Sequence, residues 1–195
     1  MLQDRKARPP DRAAMEKAVA DLLQACGAEL DAETRSTPER VAKAFAEDLL
    51  DGYSRDPVAA LASSLVPAPR KGELVIASQL DFHSMCPHHL LPYKGVAAVG
   101  YVAEKSVVGF GKIAEALDAL AHRLILQEVL VHRLCDAVTE ALGPRGAGVV
   151  ISAEHGCMQV RGRRQARSRI LVEAWSGVFE QDAGLRATLA RRAEE

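Results

Sequence analysis

Between Asp11 and Cys26 the apolar residues Ala14, Met15, Ala18, Val19, Leu22 and Leu23 recur at steps of three and four, the spacing of an amphipathic helix, and Gly27 is placed to stop it. This predicts a surface helix with one buried face. Ser36-Thr37-Pro38-Glu39 reads as a cap followed by proline at the first helical position, and the stripe Val41, Ala44, Phe45, Leu49 carries a second helix to Gly52. On that helix Arg40 and Lys43 lie three apart and share a face. The stretch Asp56 to Gly72 holds three prolines and reads as a connector with a short helix. Strands are expected over Glu73 to Phe82 and Gly95 to Val102, the second closed by the polar turn Glu104-Lys105-Ser106, with a loop from Ser84 to Lys94 between them. From Lys112 to Leu142 the pattern is helical, broken around Leu124 to Leu126 and ended by Gly143-Pro144, which leaves room for two helices. Two more strands follow, Gly148 to Ala153 and Ser168 to Trp175. In the latter, Ile170, Val172 and Ala174 face one way while Arg169, Leu171, Glu173 and Trp175 face the other. A last helix spans Ala183 to Ala193. The order strand, strand, helix, helix, strand, strand predicts an α+β domain, residues 73–195, with helices on one face of an antiparallel sheet, preceded by a helical segment and connector over residues 1–72. A sheet this small leaves edges that subunits can cover.

Composition narrows the class. The chain has 195 residues, 48% hydrophobic and 26% charged, with a net charge of −1, the balance of a soluble globular protein with a real core. No apolar run approaches the roughly 18 residues that cross a bilayer, and MLQDRKARPP lacks the apolar stretch of a signal peptide, so a cytoplasmic protein without a membrane partner is expected. Near-neutral charge removes the global case for nucleic acid, and 4% aromatics are too sparse for a stacking platform along single strands. Four cysteines, Cys26, Cys86, Cys135 and Cys157, are too few and too irregular for a disulfide scaffold and read as free thiols or metal ligands.

The densest chemical signal pairs Cys86-Pro87-His88-His89 with His155-Gly156-Cys157. Thiolate and imidazole are the donors Zn²⁺ prefers, and Cys86, His89 and Cys157 would supply three, leaving the open position of a catalytic site. With His88 or His155 as a fourth donor the site would instead be closed and structural. Arg161, Arg163, Arg164, Arg167 and Arg169 follow directly. On an extended chain the odd-numbered guanidiniums would line one side, suited to phosphate oxygens, or form a solvated charge run. Arg161 stands apart because Gly162 allows close backbone approach beside the cluster. Gln127-Glu128, at the start of a helix, sets an amide beside a carboxylate that can accept from the ring N–H and exocyclic amine of a guanine-like edge.

Together these stretches resemble the GTP cyclohydrolase I family. The matching residues are Ser36 to Lys43, Cys86 to Tyr93, Val99 to Val102, Gly109 to Ile113, Gln127-Glu128 and His155 to Met158 followed by Arg161-Gly162, in the family's order. The resemblance implies a tunnelling fold, assembly into a homo-oligomer (a decamer) with shared active sites, and hydrolytic opening of the imidazole ring of GTP. Formate is released and the product rearranges to 7,8-dihydroneopterin triphosphate, a step of folate and pterin synthesis. Carried over by position, it implies zinc ligands at Cys86, His89 and Cys157 and catalytic histidines at His88 and His155. It also implies purine recognition by Gln127 and Glu128, and triphosphate contacts from Lys112, Arg161 and, from another subunit, Arg40 and Lys43.

The chain departs from the family's pattern at four of these places. Pro87 stands where a glutamate is usual, Gly111 where a serine is, and Glu115 and Val129 where arginines are. Exchanging a phosphate-binding arginine for Glu115 turns attraction into repulsion, and a charge-assisted hydrogen bond at such a position is worth roughly 1.5–3 kcal/mol. Two readings follow: a charge swap within one network, with Arg163 restoring the phosphate pocket, or a paralogue acting on a purine nucleotide or nucleoside with fewer phosphates. A non-catalytic subunit that binds purine or pterin is a third.

Overall fold

A computed structural model of the chain describes residues 10–194. Residues 1–9, the start of the expected N-terminal segment, lie outside the described residues. Asp11 caps α1 (Arg12–Ala25), its carboxylate accepting from the Ala14 N–H at 3.0 Å, and Gly27 follows at φ +75°. The helix is where the periodicity placed it, but the buried face expected for it has no counterpart among the described residues: none of its residues is buried and Leu22 is 61% exposed. It lies along α2 (Thr37–Ala44), which has Pro38 in its first turn and Ala42 buried. The expected run to Gly52 is not one helix. A wide turn, Phe45–Leu49, and a tight one, Asp51–Ser54, take over after Ala44. Gly52 lets this segment lie against the end of a later helix, since a Cβ there would sit 2.6 Å from the Ala119 carbonyl oxygen.

The connector is more ordered than its prolines suggest. Asp56 caps α3 (Pro57–Ala62), accepting from the Val58 and Ala59 N–H groups at 2.9 and 3.1 Å, and Leu61 is fully buried in the main core. β1 (Leu65–Pro67) follows, and the four-stranded sheet begins with β2 (Leu74–Met85) and β3 (Pro92–Val102). β4 (Ser106–Val108) pairs with β1 in a separate two-stranded sheet. The paired helices are α4 (Phe110–Ala121) and α5 (Gln127–Leu142), the latter ended by Gly143 in the left-handed conformation. Then come β5 (Gly146–His155), the short α6 (Gly156–Gln159), β6 (Ile170–Gly177), α7 (Val178–Gln181) and α8 (Ala183–Glu194).

The main sheet is antiparallel throughout, in the order β2-β3-β5-β6. Alternation sorts its side chains as a pleat requires. Ala97, Val99, Tyr101, Val149, Ile151, Val172 and Ala174 meet Ile113, Leu117, Leu130 and Leu134 of α4 and α5 on one face. Each such fully buried Leu or Ile contributes about 1.5–3 kcal/mol. Ala98, Val102 and Val150 meet Phe179 and Leu189 on the other, so α8, which the pattern delimits but does not place, forms a second layer. Gly100 and Gly148, paired across β3 and β5, make room for it: a Cβ on Gly148 would sit 2.6 Å from the Trp175 ring and 3.0 Å from Leu189. This is the α+β architecture expected, with paired helices on one face of an antiparallel sheet. Among the described residues no helix is long and apolar enough to cross a membrane.

Candidate active site

Both chemical clusters sit where strands end. Because β2 runs on to Met85 and β3 begins at Pro92, the expected loop contracts to residues 86–91. It is closed by the Cys86 N–H donating to Leu91 O at 3.0 Å and the Leu90 N–H donating to Cys86 O at 2.9 Å, with Leu90 in the left-handed region at φ +52°. Pro87 fixes φ inside this turn. Cys86 is buried, and its Sγ lies 3.8 Å from His89 Nδ1. On the other side β5 carries through to His155, and α6 presents Cys157 in its first turn. Gly156 joins the two, and only a residue without a side chain fits: a Cβ there would sit 2.7 Å from Pro92 O.

These placements bring the ligand atoms of Cys86, His89 and Cys157 within 4.8 Å of one another, and neither His88 nor His155 joins the group. Two sulfurs and one imidazole match the donor preference of zinc with three protein ligands. Burial, and then the neighbouring Cys86, push the Cys157 thiol up from its ordinary value, while Arg161 pulls it partly back. A divalent cation would relieve that by replacing the thiol protons.

His155 is held separately. Its ring stacks on Tyr93, the residue opposite it in the β3–β5 register, with centroids 4.7 Å apart and planes 5° from parallel. Its Nε2 lies 2.8 Å from Gln127 Oε1. Gln127, the first residue of α5, is 1% exposed, and its Nε2 donates to Ile151 O and Ile170 O, both at 2.9 Å. Burial lowers the His155 pKa from its ordinary value, opposed in part by the charge of Glu128. The Tyr93 hydroxyl donates to Ile125 O at 3.0 Å, and burial pushes its pKa up.

A cavity of about 170 Å³ gathers seven of the expected residues: Cys86, His88, His89, Gln127, Glu128, His155 and Cys157. His88 is exposed and stands edge-on to His89 at 6.1 Å. The expected phosphate cations are elsewhere. Lys112 pairs with Glu115 at 2.6 Å in a separate depression shared with Arg55 and Asp56. Arg161 is exposed, though near enough to Cys157 to act on its thiol. Arg40 is exposed on α2, and Lys43 lies 3.9 Å from Glu47.

The row of guanidiniums expected on an extended chain is not formed. Residues 160–169 turn instead, with Gly162 and Arg164 at φ +58° and +51°, and Arg169 pairs with Glu154 at 3.1 Å. Two residues of the site carry no role in the sequence reading: Tyr93, whose stacking needs the strand register, and Gly156, whose position between His155 and Cys157 is the only local hint.

The family model for GTP cyclohydrolase I matches residues 15–194. The GTP cyclohydrolase 1 of Chromobacterium violaceum is 39% identical over 190 residues, covering 97% of this chain and 91% of the relative. That of Leifsonia xyli subsp. xyli is 41% identical over 174 residues, 89% of this chain and 91% of the relative, and that of Bacillus subtilis 38% over 175 residues, 89% and 90%. Among solved structures, an archaeosine synthase QueF-Like in the apo form superposes with a TM-score of 0.47 at 21% identity, over 55% of this chain and 97% of that one. With a family match spanning the described fold and relatives of this similarity along nearly their whole length, the chain belongs to the GTP cyclohydrolase I family.

Proposed function

We propose that this chain opens the imidazole ring of GTP by hydrolysis at C8, releases that carbon as formate and lets the remainder close to 7,8-dihydroneopterin triphosphate. The observation that carries the reading is the meeting, in one cavity, of the Cys86, His89 and Cys157 donor group with His155, His88 and the carboxylate of Glu128. Zinc held by those three residues would supply Lewis acidity and a nucleophile available at neutral pH. Glu128, exposed at the cavity, accepts from the guanine ring N–H and exocyclic amine and so turns C8 inward. His155 takes up a proton from the attacking water and delivers it to the purine nitrogen as its bond to C8 breaks, and His88 moves protons in the later opening of the sugar and closure of the six-membered ring.

The cavity's size bears on assembly. Sites for whole ligands commonly span about 300–1,000 Å³, so about 170 Å³ suits a heterocycle and leaves the triphosphate outside. Lys112 and Arg161 of the same chain, with Arg40 and Lys43 from a neighbouring copy, would receive it in a homo-oligomer. One observation favours a second reading. Glu115 already holds the Lys112 ammonium at 2.6 Å, which suits a purine substrate with fewer phosphates.

The test is to incubate zinc-loaded protein with GTP, GDP, GMP and guanosine and to follow formate and the fluorescence of oxidised pterin. GTP is expected to be turned over. Preference for a less phosphorylated purine selects the second reading, and calorimetric binding without formate from any of them refutes both in favour of a binding subunit.

A further inference from the structure

We infer that Gln127 is a positioning residue: it fixes the His155 ring with the proton on Nε2, and its side chain is not a purine contact. The amide's orientation follows from its partners. Ile151 O and Ile170 O are carbonyl oxygens, which only accept, so the group facing both at 2.9 Å must be the NH₂. Its other end, Oε1, then faces His155 Nε2 at 2.8 Å, and two acceptors do not meet at that distance. Nε2 of His155 therefore carries hydrogen, and Nδ1, with no hydrogen-bond partner among the described residues, is the nitrogen left for exchange with a substrate.

Gln127 has little left to offer a ligand. Both of its hydrogens are engaged, one lone pair of its oxygen faces His155, and, although the residue lines the cavity, it is 1% exposed. Adjacent residues on a helix point in different directions, so the Gln-Glu pair that reads as one recognition unit in the sequence is divided, with Gln127 turned inward and Glu128 outward. Tyr93 completes the clamp. Its stacked ring sets the plane of the imidazole, its hydroxyl is tethered to Ile125 O, and Gln127 sets the rotation within that plane.

This inference rests on His155 as the proton donor of the proposed reaction. It is tested with zinc-loaded wild type and Gln127→Met, which keeps the length of the side chain and removes its polar end. Partners that orient metal-ligating histidines are commonly worth about 10–100-fold in metal affinity or activity, and a like factor is expected for a histidine held as His155 is. Formate release by Gln127→Met is expected to show kcat lowered by about that factor, with the KM for GTP and the zinc content unchanged. A raised KM at unchanged kcat would overturn the proposal by making Gln127 a purine contact. ¹⁵N spectra of histidine-labelled wild type above neutral pH, with His155 assigned by its loss in His155→Ala, supply a measurement that needs no turnover. A protonated Nε2 with a pyridine-type Nδ1 is expected, and the reverse assignment overturns the proposal. Absence of formate from wild type would sink the proposed function while these spectra still decide the tautomer.

Discussion

Glu115→Gln separates the two substrate readings. Lys112 Nζ and Glu115 Oε2 are 2.6 Å apart on side chains 35% and 45% exposed. At that exposure an ion pair is worth about 0.2–1 kcal/mol, which Lys112 gives up before it can donate to a phosphate. A phosphate charge brought to about 6 Å of the carboxylate adds repulsion of roughly 0.7 kcal/mol in water-like surroundings. Together the two amount to about 0.9–1.7 kcal/mol, or about 5–20-fold in affinity. Glutamine keeps the shape and removes both, so the KM for GTP is expected to fall by that factor at low salt. Guanosine, measured as substrate or as competitor, should not respond because it carries no phosphate, and added salt should shrink the difference. An unchanged KM for GTP would mean that Lys112 does not receive the triphosphate. An equal change for guanosine would mean that the substitution acts on the cavity instead.

Other outcomes follow from the same structure. Cys157→Ala should lose metal, because two donors remain of the three gathered within 4.8 Å, and a stoichiometric zinc content in that variant would remove Cys157 from the ligand set. Gly148→Val should destabilise the fold by about 1–3 kcal/mol, since its Cβ starts 2.6 Å from two Trp175 ring carbons. Denaturant melts should show a lower midpoint at the same slope, and a midpoint equal to wild type would contradict the packing described for α8. Hydrogen bonds from Gln159 and then Arg169 hold the Glu154 carboxyl below the usual carboxylate range. A lowered folded pKa adds stability above the unfolded value that is lost as pH falls through the folded one. Arg169→Ala should therefore cost stability near neutrality and converge on wild type in acid. A difference that persists undiminished at low pH would exclude this linkage.

The last strand was legible from its alternation: Val172 and Ala174 face the main core, with Ile170 on the same side of the pleat, while Leu171, Glu173 and Trp175 face the other way, and β6 forms over that stretch. α1 shows the limit of the same logic. Periodicity reports an apolar stripe, not what covers it, and its stripe meets little of this chain. The candidate donor group was readable because donor chemistry is carried by residue type, and the ligand atoms of Cys86, His89 and Cys157 lie within 4.8 Å of one another. The Tyr93–His155–Gln127 arrangement was not, because it depends on β3 and β5 pairing residue 93 with 155 and on the Gln127 side chain turning to the carbonyls of Ile151 and Ile170. Of the two readings of the arginine run, the exposed charge run is the one seen, and the row failed to form for a local reason. Gly162 and Arg164 take left-handed turns, which destroy the alternation an extended chain would have given.

Gly156 passes so near Pro92 O that a Cβ there would sit 2.7 Å from that oxygen, and His155 and Cys157 stand on either side of this close approach. The imidazole and the thiol flank the same crowded point, so a shift forced on the backbone there reaches both. On the roles proposed for Cys157 and His155, any side chain introduced at that glycine would disturb ion retention and proton delivery together.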